Sequence, residues 1–396
     1  MLFVYAEDIL HQTNFLKKVL SDKIFRNEED QIILKISEML RKGISEEKIK
    51  HLLGVEIQAK SYLIEFAKAR IAIKNKFSRS EQLWMDKYSA SYSTPEISGL
   101  FRSRRLSGKS ILDVGSGAGM QSIFFSRYSN VTAIEKDVDR FLMSRINAEV
   151  YDSQARFILS DYRDFNFRDI TFDTVFSDPL RASSSRERTL EKLEPNPISI
   201  MEAFKDYNPL FVFDLPPMIG KEKLSRLPGE LEYMSLNGSI HRLTSYGNSE
   251  RTYSAVMLPQ ERKYSSKTLD SYVKEGSWSD TIFVPDPSLF YSGIENQYCK
   301  EHGMQLVRRE KRKSIYAAND IFNEPMGEFY KVIKVTNYDN IISTLRETNC
   351  KRVFLRYDSA EYYREKMEME KHLSGTGDCY IFKIGEEYAL CRKVKL

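Results

Sequence analysis

The sequence predicts an α/β chain: a Rossmann-like, doubly wound sheet of seven strands, preceded by a helical region and followed by a small α/β module. Three observations predict this. Ile111-Leu112-Asp113-Val114 runs directly into Gly115, Gly117 and Gly119, the pattern of a buried parallel strand entering a tight turn and a helix. From Ser110 to about Pro259, strand-like and helix-like stretches alternate, which calls for parallel pairing. From Tyr330 to the end, strand-like and helix-like runs follow one another again, closing on two successive strands.

Residues 1–80 read as helices. Ile32, Ile33, Ile36 and Leu40 recur at helical spacing, Gly43 stops that helix and Ser45 caps the next. A short helix with Ile49, Leu52 and Leu53 is expected to end at Gly54, and a longer one runs through Tyr62, Leu63, Phe66 and Ile71. In Ser93-Thr94-Pro95-Glu96 the threonine suits an N-cap and the proline a first turn. The catalytic domain is assigned to 81–262, with strands at 110–114, 131–135, 156–159, 173–177, 210–213, 230–236 and 254–258. Residues 263–327, with Pro285-Asp286-Pro287, show little periodicity and read as a connector. Residues 328–396 form the terminal module: strand, helix, strand, helix and two strands.

Composition bounds the function. The 396 residues are 41% hydrophobic and 29% charged, which fits a globular protein of two or three domains. No apolar run reaches membrane-span length, and Glu7-Asp8 interrupts a start that lacks a secretory pattern. Cys299, Cys350, Cys379 and Cys391 form no C-x-x-C, so neither a metal site nor a disulfide framework is expected, and the expected setting is a reducing cytoplasm. Sixty Lys and Arg against fifty-six Asp and Glu leave +4. The basic residues cluster at Arg102, Arg104 and Arg105, at Arg181, Arg186 and Arg188, and at Arg308, Arg309, Lys311, Arg312 and Lys313. Such groups suit phosphate contacts, although a solvated face is the simpler reading of any single one.

The chemistry concentrates at the strand ends. Asp113, Gly115, Gly117 and Gly119 make D-x-G-x-G-x-G, and Met120 occupies the place where a dinucleotide turn needs its third glycine. Glu135, 22 residues after Asp113, ends the second strand at the spacing of a ribose-binding carboxylate. Asp161 ends the third strand and Asp178 the fourth. Four acids at successive carboxyl ends of an open parallel sheet face one crevice.

The glycine turn resembles motif I of class I S-adenosylmethionine (SAM) methyltransferases. The wider chain, over about 80–396, resembles the THUMP-like class I SAM-dependent methyltransferases. The similar stretches are Leu83-Trp84 through Thr94-Pro95-Glu96 to Arg105, Leu112 to Gly117, Asp178-Pro179-Leu180-Arg181, Glu230 to Gly238, Pro285-Asp286-Pro287 and the terminal βαβαββ pattern. The resemblance implies SAM as cofactor, with Asp113, Gly115, Gly117, Gly119 and Glu135 holding it. Asp161 takes the adenine amino group, and Tyr162 beside it belongs to the same site. It also implies RNA as partner. Asp178, Pro179 and Arg181 are the expected catalytic residues.

Two departures bear on the substrate. The family pattern has a small residue and paired arginines after Asp-Pro, and Lys-x-x-Pro on the fifth strand. Here the chain has Leu180-Arg181-Ala182 and Phe213-Asp214-Leu215-Pro216. Asp214 is expected to bond the loop that follows it. Arg181 stands where exocyclic-amine methyltransferases place an aromatic, which argues against an adenine-N6 site and suits a guanine edge, a phosphate or a flipped base. The expected function is methylation of guanine N7 or N2 in tRNA. The alternatives are rRNA, protein or small-molecule methylation, or a SAM-fold RNA-binding protein without activity. The sequence sets no oligomeric state.

Overall fold

The computed structural model describes residues 2–52, 61–181, 189–247, 250–269 and 272–396, and the side chains of residues 2–10 and of Arg181 fall outside that description. The helix end expected at Leu53 and Gly54, and Arg186 and Arg188 of the second basic cluster, lie outside the described residues. The chain divides into two compact units, Met1–Pro228 with Thr244–Asn248, and Gly229–Leu243 with Ser249–Leu396. The expected boundaries at 80, 262 and 327 do not coincide with this division.

The first unit opens with helices α1 (Leu2–Ser21), α2 (Lys23–Arg41), α3 (Glu46–Leu52) and α4 (Tyr62–Ile73). Asp22 caps α2 by accepting the N–H groups of Ile24 and Phe25 at 3.0 Å each. The break before α3 is the expected one: Gly43 has φ +78° and Ser45 Oγ accepts from Lys48 N–H at 3.4 Å. Helices α5 (Lys87–Tyr92) and α6 (Glu96–Arg105) then lead to the sheet. Pro95, not Thr94, is the residue before α6, and no side chain caps it.

Strands β1 (Ser110–Val114), β2 (Asn130–Glu135), β3 (Arg156–Leu159) and β4 (Thr174–Ser177) form where the sequence places them, within a residue. Helices α7 (Met120–Phe125) and α8 (Val138–Val150) follow β1 and β2. A two-residue antiparallel pair, β5 (Leu180–Arg181) with β6 (Leu193–Glu194), adds to the expected strands; it is too short for any periodicity to show. Helix α9 (Pro197–Phe204) precedes β7 (Leu210–Leu215), which completes a parallel set ordered β3-β2-β1-β4-β7. The chain reverses direction of travel beside β1, so ligands are expected at the carboxyl ends there.

The helical head does not stand apart from this sheet. Phe15, Leu16, Ile33, Leu63, Phe66 and Trp84 share one buried cluster with Met120, Phe124, Met143, Ile146 and Phe157. Polar ties reinforce the packing: Gln12 Nε2 and Thr13 Oγ1 donate to the Asp139 carboxylate at 3.1 and 2.5 Å.

The seven-strand expectation divides differently. The sixth and seventh strands exist, as β8 (Glu230–Leu236) and β10 (Thr252–Leu258), paired in parallel, and both belong to the second unit. β9 (Ser239–Tyr246), unforeseen, lies between them in sequence, and β11 (Arg262–Ser266) pairs antiparallel with β10.

The expected connector is structured. It supplies β12 (Thr281–Pro285), α10 (Pro287–Ser292), α11 (Glu295–Glu301), β13 (Gln305–Arg309) and β14 (Ser314–Ala317). β12 is buried along its whole length, so it lacks the alternation that marks a half-exposed strand. Asp286 is a helix cap here, accepting Ser288 N–H at 2.8 Å and Ser288 Oγ–H at 2.6 Å. The terminal elements match the reading: β15 (Gly327–Thr336), α12 (Ile341–Glu347), β16 (Cys350–Leu355), α13 (Tyr362–Glu370), β17 (Gly377–Ile384) and β18 (Glu387–Lys393). β15 pairs antiparallel with β12, so among the described residues the connector and the terminal module share one seven-stranded sheet, β13-β14-β12-β15-β18-β17-β16.

Candidate active site

The glycine turn builds the floor of a cleft in the first unit. Gly115 and Gly117 have φ of +77° and +57°, and a Cβ on Gly117 would meet nothing within 4 Å. The backbone at Gly117 therefore borders open space, as a close-approaching ligand requires. Gly119 serves differently: φ is +84°, and a Cβ there would lie 2.7 Å from Ser144 Cβ and 3.0 Å from Phe157 Cε1. It lets α7 pack on α8 and β3 and is not among the residues lining the cleft.

Two lobes open over this floor. One, about 90 Å³, is lined by Tyr88, Tyr92, Ser93 and Thr94 on one side and by Asp113, Ser116, Phe176 and Asp178 on the other. The second, about 250 Å³, is lined by Glu135, Asp161, Tyr162, Arg163, Glu194 and Pro195. Tyr88, Gly115, Gly117, Arg140, Asp178 and Leu180 border both lobes. The four strand-end acids thus meet at one cleft.

Glu135 is held rigidly. Its two carboxylate oxygens accept Gly117 N–H at 2.7 Å and Asp137 N–H at 2.9 Å. Each oxygen keeps further lone-pair capacity for a hydroxyl donor. Asp161 is chelated by Arg163, with Nε at 2.9 Å and Nη2 at 2.5 Å, and this pairing holds its carboxyl down at about 2. Both of its oxygens are thus engaged, and an adenine amino group would use what lone pairs remain. Tyr162 lines the same lobe, its ring stacked on Phe204 at 6.2 Å.

Asp113 is buried (2% exposed), accepts a short hydrogen bond from Ser122 Oγ, and is pushed up to about 7 by loss of solvent and by the charges of Asp178 and Glu135. A buried acid raised in this way stabilises the fold while neutral. That contribution is complete below the ordinary 3.8 and is lost as pH rises to about 7. Replacing Asp113 with Asn should therefore raise stability relative to the parent more at pH 8 than at pH 5. The gain is a few kcal/mol at most, at roughly 1.4 kcal/mol for each tenfold change in proton affinity. Urea unfolding at the two pH values checks this; a pH-independent difference would contradict it.

Asp178 is partly buried where the lobes join, and Thr94 Oγ1 donates to its carboxylate at 3.3 Å. The Thr94 hydroxyl is thus turned to Asp178, and Pro95 takes the N-cap place of α6. Pro179 is buried and turns the chain into β5. Leu180 lines both lobes, while the side chain of Arg181 lies outside the described residues. The positioning of Thr94 was not legible, because Thr-Pro-Glu is also a good helix start. Nor was Asn147: its amide accepts Trp84 N–H at 2.8 Å and donates to Trp84 C=O at 2.9 Å and Ala118 C=O at 3.0 Å. It ties the approach segment to the glycine turn.

The basic clusters require correction. Arg102 is fully buried; it pairs with Asp214 at 2.7 Å and donates to Gln121 Oε1 at 2.6 Å. Asp214 also accepts from Thr244 Oγ1 at 3.1 Å. Arg102 is thus turned into the interior, where it pairs with Asp214. Arg105 lies 3.5 Å over the Tyr246 ring. In the second unit, Arg309 pairs with buried Glu295 at 2.8 Å, Arg308 donates to Lys383 C=O at 2.6 Å, and Lys313 pairs with Glu310 at 3.1 Å. Arg309, Lys311 and Arg312 are the exposed members of that run.

Ser93 Oγ and Ser116 Oγ are buried at the cleft with no hydrogen-bond partner among the described residues. Orphaned hydroxyls and a glycine backbone facing open space fit a polar ligand of the SAM kind. No described helix is long and apolar enough to cross a membrane, and no described group of three or more His, Cys, Asp or Glu residues could hold a metal ion.

Comparison with known proteins agrees with this geometry. Residues 108–228, spanning the glycine turn to the end of the first unit's main segment, match the model of the RNA cap guanine-N2 methyltransferase family. No curated protein sequence matches the chain. A crystal structure of a presumptive methyltransferase from Porphyromonas gingivalis W83 is similar over 92% of this chain and 99% of its own, with a TM-score of 0.71 at 14% identity, which shows a shared fold. A T. thermophilus 16S rRNA guanine-N2 methyltransferase, solved with its methyl donor and guanosine, matches over 41% of this chain and 45% of its own, at 18% identity and a TM-score of 0.30. With a methyltransferase family model matched along the strands that build the cleft, and a fold shared with a methyltransferase structure, the chain is a SAM-dependent methyltransferase whose cofactor is S-adenosylmethionine.

Proposed function

We propose that the enzyme methylates the exocyclic N2 of a guanine in structured RNA, with tRNA the first substrate to test. The observation that carries this is Asp178: a carboxylate held by Thr94 at the junction of the two lobes. Guanine N7 has no proton and needs no acceptor. The N2 amine carries two, and an oriented acceptor beside it fixes the nitrogen and accommodates the positive charge that develops there. The guanine-N2 description of the matched family supports the same atom.

Glu135 accepts the ribose hydroxyls of the cofactor, and Gly115 and Gly117 give its chain close passage. Asp113 lies at the donor end, Gly119 sets the turn by packing, and Asp161 and Tyr162 border the adenine. When bound, SAM supplies a methyl group on a positively charged sulfur, so no protein acid is needed to activate it. Asp178 accepts an N–H of the guanine amine and takes up the proton that the nitrogen sheds. Leu180 and Pro195 keep water from the lobes they line.

Removing the ribose grip should be visible directly. Glu135→Ala is expected to weaken SAM binding by ~1.5–3 kcal/mol, the value of a charge-assisted hydrogen bond. Calorimetry with SAM and with S-adenosylhomocysteine measures it; unchanged affinity would remove Glu135 from the cofactor site. The function itself is tested by incubating the enzyme with labelled SAM and RNA from cells lacking it, then digesting to nucleosides. N2-methylguanosine is the expected product. Label in N7-methylguanosine would overturn the choice of atom, and no label in RNA would overturn the substrate class.

A further inference from the structure

Asp178-Pro179-Leu180-Arg181 carries no aromatic ring, yet a base presented to Asp178 needs a flat partner to hold its plane. The cleft supplies one from a different element. Helix α5 sets Tyr88 and Tyr92 one turn apart, so their rings fall on one face, with centroids 4.7 Å apart and planes inclined by 52°. Both are unusually open for tyrosines at a cleft, 37% and 52% exposed. Tyr88 is fixed from behind: the Arg140 guanidinium lies 4.7 Å from its ring centroid, and Arg140 Nε is 3.6 Å from the Asp86 carboxylate. Tyr88 borders both lobes, whereas Tyr92 borders only the lobe that holds Thr94 and Asp178.

We propose that Tyr92, braced by Tyr88, is the stacking platform for the target nucleobase, with Asp178 at the base's polar edge and Leu180 completing the slot. The substrate this slot takes is a nucleobase turned out of its strand, which rests on the guanine reading above. A ring platform receives any base by its π face, so selection among bases falls to Asp178. Tyr88, shared with the cofactor lobe, separates the two ligands.

The test uses the full chain and the variants Tyr92→Ala and Tyr92→Phe. Because Tyr92 is half exposed, neither change should affect folding. Three quantities are measured: KM and kcat for RNA methylation, SAM affinity by calorimetry, and binding of a fluorescent guanine-containing oligonucleotide to the S-adenosylhomocysteine complex. Tyr92→Ala should raise KM and weaken oligonucleotide binding by about tenfold or more, as expected for loss of one base–aromatic stack. Tyr92→Phe should restore both, since stacking needs the face and not the hydroxyl, and SAM affinity should stay within about twofold. Unchanged KM and oligonucleotide affinity in Tyr92→Ala would overturn the proposal, as would a parallel loss of SAM affinity. If the parent enzyme transfers no methyl to guanine but binds the oligonucleotide in a Tyr92-dependent way, the guanine reading fails and the platform stands. If the parent binds no oligonucleotide, both fall.

Discussion

Asp178→Ala is expected to reduce methyl transfer by about 10²–10⁴-fold, the usual contribution of a group that handles a proton at the reacting atom, while SAM affinity changes little. Asp178 borders the cofactor lobe and is held by Thr94, while Glu135 is the carboxylate bonded to the glycine turn. Its loss should therefore appear in the chemical step. Single-turnover kinetics at saturating SAM and RNA isolates that step. Asp178→Asn keeps a carbonyl acceptor but no base, so it should fall between the parent and the alanine variant. Transfer at the parent rate in both variants would place the chemistry elsewhere in the cleft, and Asp214 would not inherit it: its side chain is buried against Arg102.

The second large effect is on stability. Arg102→Ala is expected to cost about 3–5 kcal/mol, because it strands the Asp214 carboxylate, which is as fully buried as its partner. It also removes the donor to Gln121, which lines the cleft, so SAM affinity should fall alongside stability. The double variant Arg102→Met with Asp214→Leu should be less destabilised than Arg102→Ala alone, since an apolar pair leaves no unpaired charge. Urea unfolding of single and double variants decides this; additive losses would mean that the two side chains do not form a coupled pair.

The clash at Gly119 and the open space at Gly117 separate two roles within one motif that reads as a single block in the sequence. The same is true of the arginines. A cluster such as Arg102, Arg104 and Arg105 looks like one basic patch, but a helix turns its residues in different directions. Arg102 points into the interior and Arg105 lies on Tyr246.

The sequence by itself determined the strand that ends at Asp113, the turn geometry through Gly115 to Gly119, and the strand-end positions of Glu135, Asp161 and Asp178. These follow from local rules: apolar runs, glycine's access to positive φ, and the fixed polarity of a parallel sheet. It also determined the terminal strands and helices from β15 onward, whose half-buried faces leave a period. The tertiary structure alone decided the rest. β12 is buried on both faces and carries no alternation, so its partnership with β15 shows only when the strands meet. Thr94 could cap a helix or hold Asp178, and the choice depends on a residue 84 positions away. The pairing of Arg102 with Asp214 likewise arises from side chains that distant backbone segments bring within reach. Sequence spacing specifies direction along one element; only packing specifies what that direction meets.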